Sequence, residues 1–225
     1  TIEIKHMTAK EEDILTSRTL LKKGVALDRV VKNIIVDKTI DPSSLLVGDK
    51  NAIIVAMRIS GYSNIYTTSV TCPACETNQK YEFNLNNHTI YAGQDMDELD
   101  IADHQNGVFE VVLPRTQVKV AYRLQTGRDE KALINAMEGD RKRKTERNVT
   151  RQLKSLLVAV NGDTSPEAIQ YLIENIPAVD SRHLRMAYKL SAPNIDLTQT
   201  FECNECQHTQ EMEVPLTAEF FWPNE

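Results

Sequence analysis

Apolar and polar residues alternate in two short stretches, IEIKHM (2–7) and VKVAYRL (118–124). A period of two puts successive side chains on opposite faces of a strand. Each stretch runs into a threonine, Thr8 or Thr126, with an acid three residues on, Glu11 or Asp129. TAKEEDIL thus opens with a capping box and TGRDEKAL with its weaker aspartate variant, so a helix is expected after each strand. The period then lengthens. Leu27, Val31, Ile34 and Ile35 are spaced i, i+4, i+7, i+8, and so are Val149, Leu153, Leu156 and Leu157. Both sets predict a helix with one buried face. NAIIVAMRI (51–59) is apolar almost all round, which predicts a helix buried between layers. Alternation returns in NIYTTSVT and KYEFNL, and again in LTQTFE and EMEVPL, which predict two hairpins.

These elements repeat. Shifting the chain on itself by 131 residues gives nine identities over the 37 positions 49–85. They include Asp49/Asp180, Ser60/Ser191, Cys72/Cys203, Cys75/Cys206 and Gln79/Gln210. Upstream the match continues if the second copy carries insertions, near GDRKRK (139–144) and at SPEAIQYLIENIP (165–177). The latter reads as an added helix with Pro166 in its first turn. The expected fold is therefore α+β, with more helix than strand: a tandem duplication of a strand–helices–hairpin unit. Repeat 1 covers 1–107 and repeat 2 covers 108–225. The acidic stretch 86–107 reads as a solvated linker. It is not an EF-hand, because Asp100 and Asn106 stand where glycine and glutamate are needed. Repeat 2 has FEVVLPRTQ ahead of its first strand, and the chain starts at Thr1 rather than Met. An equivalent stretch is expected ahead of Thr1.

The turns of the two hairpins hold all four cysteines, as TCPAC (71–75) and ECNEC (202–206). Zinc favours four ligands in a tetrahedron, and thiolate suits it. One Cys-x-x-Cys supplies half a shell, and two together supply a whole one. The expected site is one structural zinc ion on Cys72, Cys75, Cys203 and Cys206, with the hairpins forming a zinc-ribbon-like pair that cross-links the repeats. Free thiols without metal are the bland alternative. A redox pair is the third, disfavoured because such pairs follow a strand and open a helix. His208 could compete as a ligand, but its counterpart in repeat 1 is Thr77.

Composition narrows the rest. The 225 residues carry a net charge of −6, against the basic balance of most nucleic-acid binders. The basic run RKRK (141–144) has no interleaved aromatics and reads as a solvated insertion. No apolar run is long enough to span a bilayer, and no secretory segment opens the chain, so the two glycosylation patterns at 87–89 and 148–150 read as chance. There is no Gly-rich phosphate loop, HExxH or GxSxG, and the five histidines form no catalytic pattern. No catalytic residue, substrate or organic cofactor is expected. The terminal EFFWP (219–223), with the single tryptophan, reads equally as a packed terminus and as a docking hook. A zinc-ribbon nucleic-acid adaptor is the alternative to a protein-binding role.

Several stretches together resemble a known family: MTAKEEDILTSRTLLKKG (7–24), LLVGDKNAIIVAMRISGY (45–62), VTCPACETNQKYEF (70–83), DSRHLRMAY (180–188) and EMEVPLTAEFFWP (211–223). They are similar to the baseplate hub family of T-even-like contractile-tailed bacteriophages, which includes hub components and hub-assembly factors. The resemblance implies a non-enzymatic tail-morphogenesis protein. It would be made in the cytoplasm of the infected bacterium, there or in the virion baseplate, with other hub proteins as partners.

Overall fold

A computed structural model describes residues 1–22, 25–142, 147–215 and 220–221. Helix outweighs strand, at 43% against 25%, which fits the α+β expectation. The chain forms two compact units that are cut differently from the two sequence repeats. One comprises residues 1–42, 49–90 and 195–225; the other comprises 43–48 and 91–194. The short strands β3 (Thr89–Tyr91) and β8 (Asn194–Asp196) mark where the chain passes between them.

The first unit starts with a strand-like segment. Ile4 bridges Ile35, and the Lys5 N–H donates to the Ile34 carbonyl at 2.8 Å. The helices α1 (Ala9–Thr16), α2 (Arg18–Lys22), α3 (Ala26–Ile34) and α4 (Val47–Gly61) follow. The Thr8 N–H and hydroxyl both donate to Glu11, at 3.0 and 2.6 Å, which fixes the start of α1. Val30, Val31 and Ile34 are fully buried on α3, and Ile53, Ile54, Val55 and Met57 are buried on α4. Two antiparallel hairpins complete the unit. β1 (Ile65–Thr71) pairs with β2 (Asn78–Asn84), and β9 (Thr198–Glu202) pairs with β10 (Thr209–Glu213). Phe220 is fully buried, edge-on to Tyr66 at 5.3 Å, and Tyr66 donates to the Pro215 carbonyl at 3.0 Å. This part of the aromatic terminus is packing; Trp222 lies outside the described residues. The buried Arg58 guanidinium lies 5.2–5.9 Å from the rings of Tyr62, Tyr66 and Phe220, and it donates to the Ser63 carbonyl at 2.7 Å. Burial pulls its pKa down, and the tyrosines oppose this.

The second unit is built on a four-stranded antiparallel sheet of β4 (Ala102–Asp103), β5 (Val108–Val112), β6 (Lys119–Arg123) and β7 (Leu157–Val160). Its helices are α5 (Gly127–Lys142), α6 (Asn148–Leu156), α7 (Pro166–Asn175) and α8 (Ala178–Ser191). Leu113, Val120, Tyr122, Leu153 and Leu184 meet in a core without solvent exposure. The Thr126 N–H and hydroxyl donate to Asp129 at 2.9 and 2.8 Å, while Arg123 grips the same carboxylate at 2.8 and 2.7 Å. The first unit holds the same constellation in Lys5, Thr8 and Glu11, with Lys5 Nζ at 3.5 Å. Likewise Tyr122 pairs with Leu157 as Ile4 bridges Ile35.

The structure corrects two expectations. Ile35 and Leu157 do not extend their helices: α3 and α6 end one residue earlier, and both residues turn extended, at ψ of 126° and 134°. Their side chains stay buried with the helical face, while their backbones join a strand pairing that a continued helix would forbid. The stretch 86–107 is mostly exposed, but it is not an irregular linker. It holds β3, a 3-10 turn at Met96–Leu99 and β4, because Ile101, Met96 and Leu99 pack on the core of the second unit. The expected helix at 165–177 forms as α7, with Ser165 capping it and Pro166 at its first position. The basic run 141–144 lies partly outside the described residues.

Candidate metal centre

The site grows from two identical turns. β1 and β2 end their ladder at Thr71 and Asn78, and β9 and β10 end theirs at Glu202 and Thr209. The six residues between each pair close by two backbone bonds. The Cys72 N–H donates to the Thr77 carbonyl and the Glu76 N–H to the Cys72 carbonyl, both at 2.9 Å. The Cys203 N–H donates to the His208 carbonyl and the Gln207 N–H to the Cys203 carbonyl, also at 2.9 Å. Each turn needs one left-handed residue, Glu76 at φ 59° and Gln207 at φ 56°. The first cysteine of each pair is thereby buried and the second is held at the tip.

The turns bring all four sulfurs together. Cys72 and Cys206 lie 3.7 Å apart, as do Cys75 and Cys203, and all four lie within 4.8 Å of one another. All four cysteines are free. Four sulfurs about 2.3 Å from one ion would form a tetrahedron with edges of about 3.8 Å, so the thiols fit a zinc-sized cation. All four belong to the first unit. Among the described residues no histidine joins the cluster. His208 contributes its backbone carbonyl to the turn.

Electrostatics point the same way. The Thr77 hydroxyl and N–H, helped by the Cys206 thiol, pull the Cys75 pKa down to about 6. Cys206 is pushed up to about 12: the His208 N–H favours its thiolate, but the neighbouring thiols and burial outweigh it. Of the two exposed thiols, the Cys75 thiolate is favoured and the Cys206 thiolate is resisted. Four become tolerable when a dication sits among them.

A third turn in the protein has the same form without cysteine. In the second unit the Leu113 N–H donates to the Val118 carbonyl and the Gln117 N–H to the Leu113 carbonyl, both at 2.9 Å, with Gln117 at φ 58°. Its tip is held by a carboxylate. The buried Asp180 accepts from the Arg115 N–H at 2.8 Å, the Thr116 N–H at 3.0 Å and the Thr116 hydroxyl at 2.7 Å. Sequence reading did not find this anchor. The signal was LPRTQV lying at the turn position between two alternating runs.

The two cysteine hairpins are also joined by side chains that spacing does not reveal. Tyr81 donates to the Thr200 carbonyl at 3.1 Å, and its ring lies 5.0 Å from both Phe83 and Phe201. Gln79 bonds to the backbone of residues 202 and 204, and Gln199 bonds to that of Asn84.

Among the described residues no helix is long and apolar enough to cross a membrane. Neither a curated protein nor a solved structure matches the chain. Residues 1–105 match the family described as T4 bacteriophage base plate protein. That similarity supports a phage baseplate protein, and it spans the first cysteine pair but ends before the second.

Proposed function

We propose that this chain is a non-enzymatic protein of phage tail morphogenesis, a baseplate hub subunit or hub-assembly factor. It works by binding other baseplate proteins and holds one structural zinc ion on Cys72, Cys75, Cys203 and Cys206. The observation that carries the role is the baseplate-family match over residues 1–105. The observation that carries the metal is four free sulfurs within 4.8 Å at the tips of two matched turns. A closed four-thiolate shell leaves no open coordination position, which suits a structural ion rather than a catalytic one. The ion would supply positive charge where four thiolates converge. The chain's own residues do the rest: Glu76 and Gln207 set the turns, and the β1–β2 and β9–β10 ladders aim them. On this reading the repeats 1–107 and 108–225 arose by duplication, and the metal ties the hairpin of one to the hairpin of the other.

The experiment has two arms. Elemental analysis after zinc-replete expression should give one zinc per chain; two metals per chain, or none, would exclude the shared site. Pull-down of the tagged full chain from phage-infected cells, read by mass spectrometry, should recover baseplate subunits. Capture of nucleic acid instead, with salt-dependent heparin binding, would overturn the protein-binding role.

A further inference from the structure

We infer that Gln79 is a positioning residue of the metal centre, which sets the second cysteine turn over the first. The inference rests on the metal reading above. Gln79 stands on β2, paired with Val70 and one residue in from the end of the ladder. Its Nε2 donates to the Glu202 carbonyl at 3.3 Å, and its Oε1 accepts from the Asn204 N–H at 3.0 Å. The two bonds straddle Cys203. One carboxamide therefore grips the backbone on both sides of a cysteine in the opposite hairpin, and it fixes where that sulfur sits relative to Cys72 and Cys75. Groups that orient ligands without touching the metal commonly change metal affinity by about 10–100-fold.

The arrangement is one-sided. Gln210 aligns with Gln79, but the residue aligned with Asn204 is Pro73, which has no N–H to donate. Among the described residues Gln210 makes no bond to the first turn. A built-in control lies further along the same strands. The Gln199 Nε2 donates to the Asn84 carbonyl at 3.0 Å, and its Oε1 accepts from the Asn84 N–H at 3.3 Å. This clamp has the same chemistry and joins the same two hairpins, but it sits at the end of the ladder away from the sulfurs.

The test uses the full chain with zinc affinity measured against a chromophoric chelator, and cobalt(II) substitution read by its thiolate charge-transfer and d–d bands. Gln79→Ala is expected to weaken zinc by about 10–100-fold and to alter the cobalt bands, while Gln199→Ala leaves zinc within about threefold of the parent and the bands unchanged. Gln79→Glu keeps the acceptor for Asn204 but sets a carboxylate against the Glu202 carbonyl. It should fall between parent and alanine variant, and it provides the reading if the alanine variant does not fold. Parent-like affinity and bands in both Gln79 variants would overturn the inference, as would an equal loss in Gln199→Ala. A parent protein that binds neither zinc nor cobalt would instead remove the metal reading on which the inference stands.

Discussion

At the scale of single residues, buried carboxylates hold backbone in place. Burial pushes the Asp180 pKa up, but the N–H groups of Arg115 and Thr116 and the Thr116 hydroxyl reverse this and hold it below the usual range. Asp129 is held low first by the Arg123 guanidinium, and Glu11 by Thr8 and Lys5 against its burial. A depressed carboxylate adds stability that is fully present above the unfolded-state pKa, near 4, and is lost as pH falls through the lower folded value. The share of stability from these carboxylates should therefore be flat near neutrality and fall below about pH 4. Asp180→Asn should cost on the order of 2–3 kcal/mol at pH 7, since a charged acceptor of three bonds becomes neutral. The same variant should lose less than the parent on acidification. Urea melts of both proteins from pH 7 to pH 3 check this, and parallel curves would mean that folding does not lower the Asp180 pKa.

At the scale of elements, the turns and one close helix approach make the sharpest demands. Glu76 and Gln207 occupy the left-handed region, where a side chain with Cβ costs roughly 1 kcal/mol or more relative to glycine. Gln207→Gly should leave the melting temperature equal or higher, whereas Gln207→Val should lower stability by about 1–2 kcal/mol, because a branched Cβ is worst there. A lower melting temperature for the glycine variant than for the valine variant would show that the side chain of Gln207, rather than its backbone, matters. Gly48, in the first turn of α4, answers to a different constraint: a Cβ there would lie 1.8 Å from the Pro193 carbonyl oxygen. The obstruction is backbone and cannot swing aside. Gly48→Ala should cost several kcal/mol by forcing the two segments apart. A melting curve like the parent's would mean that the segment around Pro193 gives way freely.

At the scale of the whole molecule, the proposed ion would join turns whose first cysteines are 131 residues apart in sequence. Structural zinc in peptides contributes on the order of 10 kcal/mol, which is large against a net stability of about 5–15 kcal/mol. Cys72→Ser and Cys203→Ser should therefore lose stability equally and lose partner capture together. If one variant melts like the parent while the other unfolds, the two turns act independently and share no ion. Metal removal should reproduce the same loss in the parent, and lowering the pH should release metal, because bound thiolates must take up protons as they leave it.

Local order was written in the sequence. The alternating runs, the threonine caps with Glu11 and Asp129, the proline start of α7 and the two cysteine turns each depend on residues within a few positions of one another, so spacing alone displays them. Wherever a residue answers to a distant partner, the tertiary structure decided. Ile35 and Leu157 fit the helical period, yet leave their helices because a strand far upstream accepts their backbones. Asp49 and Asp180 are identical in the alignment, but Asp180 is buried under the 113–118 turn while Asp49 is exposed. Residues 86–107 look like a linker by charge, but a few apolar side chains find a core there. That the two cysteine pairs should share one site was an inference from half-shell chemistry. Whether their sulfurs meet depends on ring packing around Tyr81 and on carboxamides reaching across β2 and β9. Those contacts follow no period along the chain; they exist only once both hairpins have folded and been set side by side.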